Sequence, residues 1–382
     1  MENYSKTLKD RLSAKGKKRI LALDGGGIRG AVTIGFLEKM ESLLAARHSQ
    51  IKDFRLSHYF DLIGGTSTGA IIATLLVTGH SASQIKQLYM QLGEKIFSDR
   101  NGLNLLGKQI YTNSKYDSRP LKDELENIFK DNKLGDDSNK TGLCIVSKRL
   151  DTCSTWPVTN NPDAMYFNQN RFYLRDIVRA STAAPSYFEP ELIDVGNGEV
   201  GVFVDGGMSL MNNPSWQLFL VATLKGFKLE WETGEDNMFI VSIGTGRRDK
   251  KLIGDKWANP NLLKIATEAP NQFMSDASEH IELMMQLTGR STGPRRKIDL
   301  EVGDLGDDAF HGVKGFSYLR YNMEMSREKL KEIGIENYSD TKIATLMEMD
   351  MPENVNDLMK IGELAAEKYV ENGHFPNTFN VV

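Results

Sequence analysis

The most apolar stretch of this 382-residue chain, Ala70–Val77, runs for about eight residues, whereas a helix that crosses a membrane needs roughly 20. A membrane-spanning protein is therefore not expected. The N-terminus, Met-Glu-Asn-Tyr-Ser-Lys-Thr-Leu-Lys-Asp, carries charges where a secretory signal needs an apolar core, so no signal peptide is expected either. Cys144 and Cys153 are too few for a disulfide framework or a thiolate metal site, and they suit a reducing cytoplasm. Only 11 prolines stand against 34 glycines, and 40% of residues are hydrophobic, which excludes disordered and collagen-like classes. A net charge of −4 supplies no global basic field, so nucleic acid is not an expected partner. Histidine is rare as well, and none of His48, His58, His80, His280, His311 and His374 sits in a strand-end turn between small neighbours.

What is present reads as alternating strand and helix. Residues 1–18 form a polar, basic leader or short helix. Ile20–Leu23 is a short apolar run that enters Asp24-Gly25-Gly26-Gly27, and residues 30–47 carry apolar groups at helical spacing. A second unit repeats the pattern: 59–64 as strand, 65–69 as a sharp turn, 70–78 as a buried helix. Later strands are expected at 141–150, 200–204, 238–242 and 316–323. Helices are expected near 81–97, 118–130, 171–182, 213–225, 260–288 and 355–371. No Pro/Gly/Ser linker, low-complexity tract or repeat divides the chain, so residues 19–375 are read as one α/β domain.

Gly65-Thr66-Ser67-Thr68-Gly69 matches a G-x-S-x-G nucleophile elbow, in which small residues let the chain reverse from strand to helix and leave the serine Oγ exposed. The strand before it and the apolar helix after it favour a catalytic serine over a structural turn. Asp24-Gly25-Gly26-Gly27-Ile28-Arg29-Gly30 presents backbone N–H groups at a helix start, which suits an oxyanion or a phosphate. Gly25, Gly27 and Gly30 also fit G-x-G-x-x-G, but residues 44–55 read as helix and loop and offer no acidic strand end for a dinucleotide. The remaining alternative is a plain tight turn. Asp205 follows the apolar strand Gly201–Val204 and precedes Gly206-Gly207; it is either a turn former or a desolvated carboxylate able to act as a base.

Together the three motifs resemble the patatin-like phospholipase family, and Arg179–Phe188, Asn212-Asn213-Pro214, Ser242–Gly246, Tyr318–Tyr321 and the helix expected after Met351 extend the likeness across roughly residues 18–372. The resemblance implies a three-layer fold with a central, mostly parallel sheet flanked by helices. It implies a Ser67–Asp205 dyad without histidine, an oxyanion hole at Gly25, Gly26 and Gly27, and supporting roles for Arg29 and Thr68. Arg29 would hold the loop or meet a lipid phosphate. It also implies cleavage of membrane phospholipid esters with no metal and no cofactor for catalysis. The chain further resembles bacterial patatin-like effectors of antiphage defence, which implies a cyclic dinucleotide activator, peripheral contact with the inner membrane from the cytoplasm, and self-association. For an activator site, Arg290, Arg295, Arg296, Lys297, Lys314 and Arg320 near Phe310 and Phe316 supply cations and aromatics. Gly102–Ile110, apolar yet flanked by glycine, reads either as a lid for membrane docking or as core. The alternatives are an esterase on soluble acyl esters and a non-catalytic nucleotide-binding protein of the same fold.

Overall fold

The computed structural model of the protein describes residues 7–98, 115–164, 172–185, 187–248, 262–298 and 301–381. Its strands are β1 (Lys18–Leu23), β2 (Leu62–Thr66), β3 (Gly142–Arg149), β4 (Ser154–Thr159), β5 (Glu191–Gly196), β6 (Glu199–Asp205), β7 (Met238–Ile243), β8 (Arg247–Arg248), β9 (Gly289–Ser291), β10 (Phe316–Tyr321) and β11 (Glu324–Met325). Its helices are α1 (Leu8–Ser13), α2 (Gly30–Arg47), α3 (Leu56–Tyr59), α4 (Thr68–Val77), α5 (Ala82–Ser98), α6 (Arg119–Phe129), α7 (Leu174–Ser181), α8 (Ser215–Thr223), α9 (Leu262–Thr288), α10 (Arg327–Glu332), α11 (Asp340–Leu346) and α12 (Val355–Tyr369). The stretch Gly102–Ile110, expected as lid or core, lies outside the described residues.

The main sheet has the order β5-β6-β3-β2-β1-β7-β10-β9, with β4 also paired to β3. Every pair from β3 through β9 in that order is parallel, while β4, β5 and β6 pair antiparallel. Central strands of such a sheet are covered on both faces and therefore read as continuous apolar runs. Side chains alternate between the faces: Leu21 and Leu23 of β1 enter one apolar cluster with α2, α4 and α12, while Ile20 and Ala22 enter a second with α8 and α9. The result is helix, sheet and helix in three layers, as expected.

Three local readings differ. Strand β2 starts at Leu62 rather than 59, because Tyr59 closes the one-turn helix α3, and Tyr59 and Phe60 are buried by tertiary packing rather than by pairing. The hairpin partner β4 is a strand not expected from the sequence, since Pro157 lies within it; β4 pairs with β3 alone, and an edge strand tolerates proline. Of the leader, the described residues include the short helix α1 and are docked rather than solvated: Leu12 is buried, and the Trp231 indole N–H donates to its carbonyl at 2.9 Å.

Candidate active site

Ser67 follows directly on β2 and precedes α4, with φ 55° and ψ −124°, a backbone conformation that a side chain rarely adopts. The flanking glycines are sterically required. A Cβ on Gly65 would lie 2.1 Å from the Gly69 carbonyl, and one on Gly69 would lie 2.2 Å from the Leu23 carbonyl oxygen. The Ser67 N–H donates to Ser181 Oγ at 2.9 Å, and the Ser181 hydroxyl donates to the Val146 carbonyl at 2.6 Å, which ties the turn to α7 and β3.

Strand β3 brings Asp205 to this serine. Along residues 144–149 it pairs with β4 on one edge. On its other edge β2 pairs up to Thr66 opposite Val146, and β6 takes over with Asp205 opposite Ser147. The end of β2 and the end of β6 therefore occupy successive rungs, and their next residues and side chains meet. The Asp205 carboxylate accepts the Gly207 N–H at 2.7 Å, and the Ser67 hydroxyl is near enough to favour its ionised form. It is only 6% exposed. Burial pushes its pKa from 3.8 up to about 6, against the opposing pull of the Ser67 and Gly207 hydrogen bonds and the Arg179 charge.

The glycine loop lies against the turn: a Cβ on Gly25 would sit 3.2 Å from the Ser67 Cβ. Gly25 has its N–H engaged by the Asn212 carbonyl at 3.1 Å, so of the three glycines expected to receive an oxyanion it has no donor to offer. Gly26 and Gly27 line the cavity above Ser67, and their N–H groups donate to no other group among the described residues. Arg29 Nε donates to the Gly26 carbonyl at 3.3 Å, the bracing contact among the two roles expected of it. Burial, then the neighbouring Arg248, holds its guanidinium pKa down at about 10. Thr68 Oγ1 hydrogen-bonds the Tyr89 hydroxyl at 2.9 Å, and Tyr89 donates to the Gly27 carbonyl at 2.6 Å.

Beneath the loop, Asp24 forms a double ion pair with Arg320 at 2.8 and 2.6 Å, and Arg320 also donates to Ser242 Oγ. Both side chains are buried. Tyr89 carries no sequence signal, Thr245, whose hydroxyl donates to the Gly25 carbonyl, lies in the Ser242–Gly246 segment without an expected role, and Arg320 is expected as an activator cation rather than as the partner of Asp24, because the partners of all three are distant in the chain. Ser181 stood within the Arg179–Phe188 segment but had no role assigned.

Ser67 and Asp205 face a cavity of about 150 Å³ whose wall is overwhelmingly apolar. Ile28, Ile71, Tyr89 and Leu121 in its lining are buried, whereas Met208 is exposed. None of the six histidines lines it. The six cations considered for a ligand site do not converge as free charges. Arg290 pairs with Glu235, Arg295 with Asp304 and Asp307, Arg296 with Glu279, and Arg320 with Asp24, while Lys314 donates to backbone carbonyls. Lys297 is exposed, Phe310 is exposed, and Phe316 is in the core.

A serine on a strained strand-to-helix turn, beside a buried carboxylate and flanked by unused N–H donors, has the parts that acyl transfer to a hydroxyl requires. The model of the patatin-like phospholipase family matches residues 21–219, and the chain belongs to that family. It is 31% identical over 251 residues to a cGAMP-activated phospholipase of Escherichia coli (strain TW11681), covering 65% of this chain and 66% of that protein. Over 210 residues it is 31% identical to a cGAMP-activated phospholipase of Vibrio cholerae serotype O1, covering 53% and 57%. A cUMP-AMP-activated phospholipase of Escherichia coli is 28% identical over 268 residues, covering 67% and 75%. The chain thus spans less than two thirds of the length of the first two relatives.

Proposed function

We propose that this protein is a phospholipase that hydrolyses acyl esters of membrane glycerophospholipids through Ser67 and Asp205. The observation that carries the reading is the Ser67 hydroxyl beside the buried Asp205 carboxylate, both on the wall of an apolar cavity. Ser67 Oγ attacks the ester carbonyl while its proton passes to Asp205. The oxyanion formed is held by the Gly26 and Gly27 N–H groups, with Gly25 locking the loop and Arg29 and Thr68 supporting it. Collapse expels the alcohol, which takes the proton from Asp205 and leaves an acyl-Ser67 ester. Water then attacks that ester, Asp205 again accepts the proton, and Ser67 recovers it as the fatty acid leaves. A carboxylate with a pKa of about 6 is mostly ionised near neutral pH, yet basic enough to take a proton in the transition state.

The names of the bacterial relatives support a cyclic dinucleotide as activator of this chain too. Among the described residues no helix is long and apolar enough to cross a membrane, so the enzyme would meet lipid at a membrane surface. Fatty-acid release from phospholipid vesicles is the test, using wild type, Ser67→Ala and Asp205→Ala with and without a panel of cyclic dinucleotides. Release that needs both residues and one nucleotide supports the whole reading. Release without nucleotide removes the activator, cleavage of soluble esters alone points to an esterase, and release by Ser67→Ala overturns the mechanism.

A further inference from the structure

We propose that Gly93 sets the length of acyl chain this protein accepts, an inference that rests on the acyl-hydrolase reading of the cavity. Gly93 lies inside α5 and is buried. Glycine is the poorest helix former after proline, because the unfolded chain loses the most backbone freedom there. The backbone of Gly93 does not call for it: Gly93 is absent from the left-handed glycines of the chain. Nor does a close backbone crossing call for it. A Cβ at this position would meet two side-chain tips, Ile28 Cδ1 at 2.7 Å and Val355 Cγ2 at 3.9 Å.

What the missing side chain provides is space. Gly93, Ile28, Ile71, Tyr89 and Leu121 together line the cavity. Ile28 and Leu121 are 1% and 2% exposed, whereas Met208, also in the lining, is 47% exposed. A hydrocarbon tail whose ester carbonyl is held at Ser67 would extend among these buried apolar side chains, where Gly93 stands in the wall. A side chain there would drive the Ile28 tip, which lies 2.7 Å from the Cβ position, into the volume needed by the tail's last methylenes. Each buried methylene favours binding about fourfold, so loss of the space for two or three of them is a change of tenfold or more.

The test separates binding from hydrolysis and uses the full chain. Saturated fatty acids of roughly eight to eighteen carbons displace a dansyl-labelled fatty acid from wild type, Gly93→Ala, Gly93→Val and Leu121→Ala; in wild type each added carbon should tighten binding about fourfold until the pocket is full. The limit should fall by two or three carbons in Gly93→Val, by about one in Gly93→Ala, and rise in Leu121→Ala. Gly93→Ala improves helix propensity and keeps the test open should the valine variant fail to fold. The same limit in all folded variants overturns the proposal, as does an equal loss at every length, which would mean that Ile28 has only displaced the neighbouring glycine loop. Absence of length-dependent binding by wild type overturns it too. Fatty-acid release from diacyl phosphatidylcholines in mixed micelles is measured beside it: a shifted binding limit without Ser67-dependent release would sink the phospholipase reading and leave the gauge standing.

Discussion

Replacing Asp205 by asparagine keeps the side chain's shape and removes its charge, and the buried position of this group makes the outcome quantitative. Wild-type Asp205 holds its proton up to about pH 6, whereas an ordinary aspartate releases it near 3.8. Between those values the folded state binds a proton that the unfolded state has lost, so stability declines as pH rises through the window. At about 1.4 kcal/mol per pH unit, the ionised carboxylate costs the fold about 3 kcal/mol by neutral pH. Asparagine does not titrate, and its carbonyl oxygen can still accept the Gly207 N–H. The variant should therefore match wild type at about pH 4 and exceed it by up to about 3 kcal/mol near neutrality. With about 2 cal/mol/K of unfolding entropy per residue over 382 residues, that is a Tm gain of roughly 4 °C. Thermal unfolding of both proteins at one-unit steps from acid to mildly alkaline pH measures it. Activity should move oppositely: fatty-acid release by wild type rises with pH through about 6 and levels off, and the variant loses on the order of a thousandfold or more. A Tm difference that is constant with pH, or that favours wild type near neutrality, would show that Asp205 is not desolvated and would remove the basis for its role as base.

Ser67→Gly and Ser67→Ala should both abolish hydrolysis, but only glycine relieves the backbone strain at φ 55° and ψ −124°; denaturant unfolding should place the glycine variant about 1 kcal/mol above the alanine one. Tyr89→Phe removes the hydroxyl that bonds the Gly27 carbonyl and Thr68. We expect a roughly tenfold lower kcat with KM little changed, and about 1 kcal/mol lost in urea unfolding. Arg320→Met leaves the buried Asp24 carboxylate without its cation, and chemical denaturation should report a loss of about 3–5 kcal/mol. In that variant, too, stability should fall further as pH rises, because burial already holds the Asp24 pKa above its ordinary value.

The sequence by itself determined the layered α/β architecture, because continuous apolar strands such as Ile20–Leu23 and Met238–Ser242 must be covered on both faces. It also determined the turn at Ser67: the two glycines, the preceding strand and the buried helix are consecutive residues, and strand-to-helix reversal is a local property. Gly26 and Gly27 were legible on the same ground. Pairing between distant segments was not legible. Asp205 meets Ser67 because β6 continues along β3 on the rung after β2 ends, and one rung of slip would separate them. Gly25 loses its place as a donor to Asn212, which lies far along the chain, and Asp24 finds Arg320 across the sheet. Burial of the Asp205 carboxylate, and with it a pKa suited to a base, likewise arises only when helices from across the chain close over the end of β6. Desolvation depends on everything that surrounds a group, and a linear sequence records only what lies beside it.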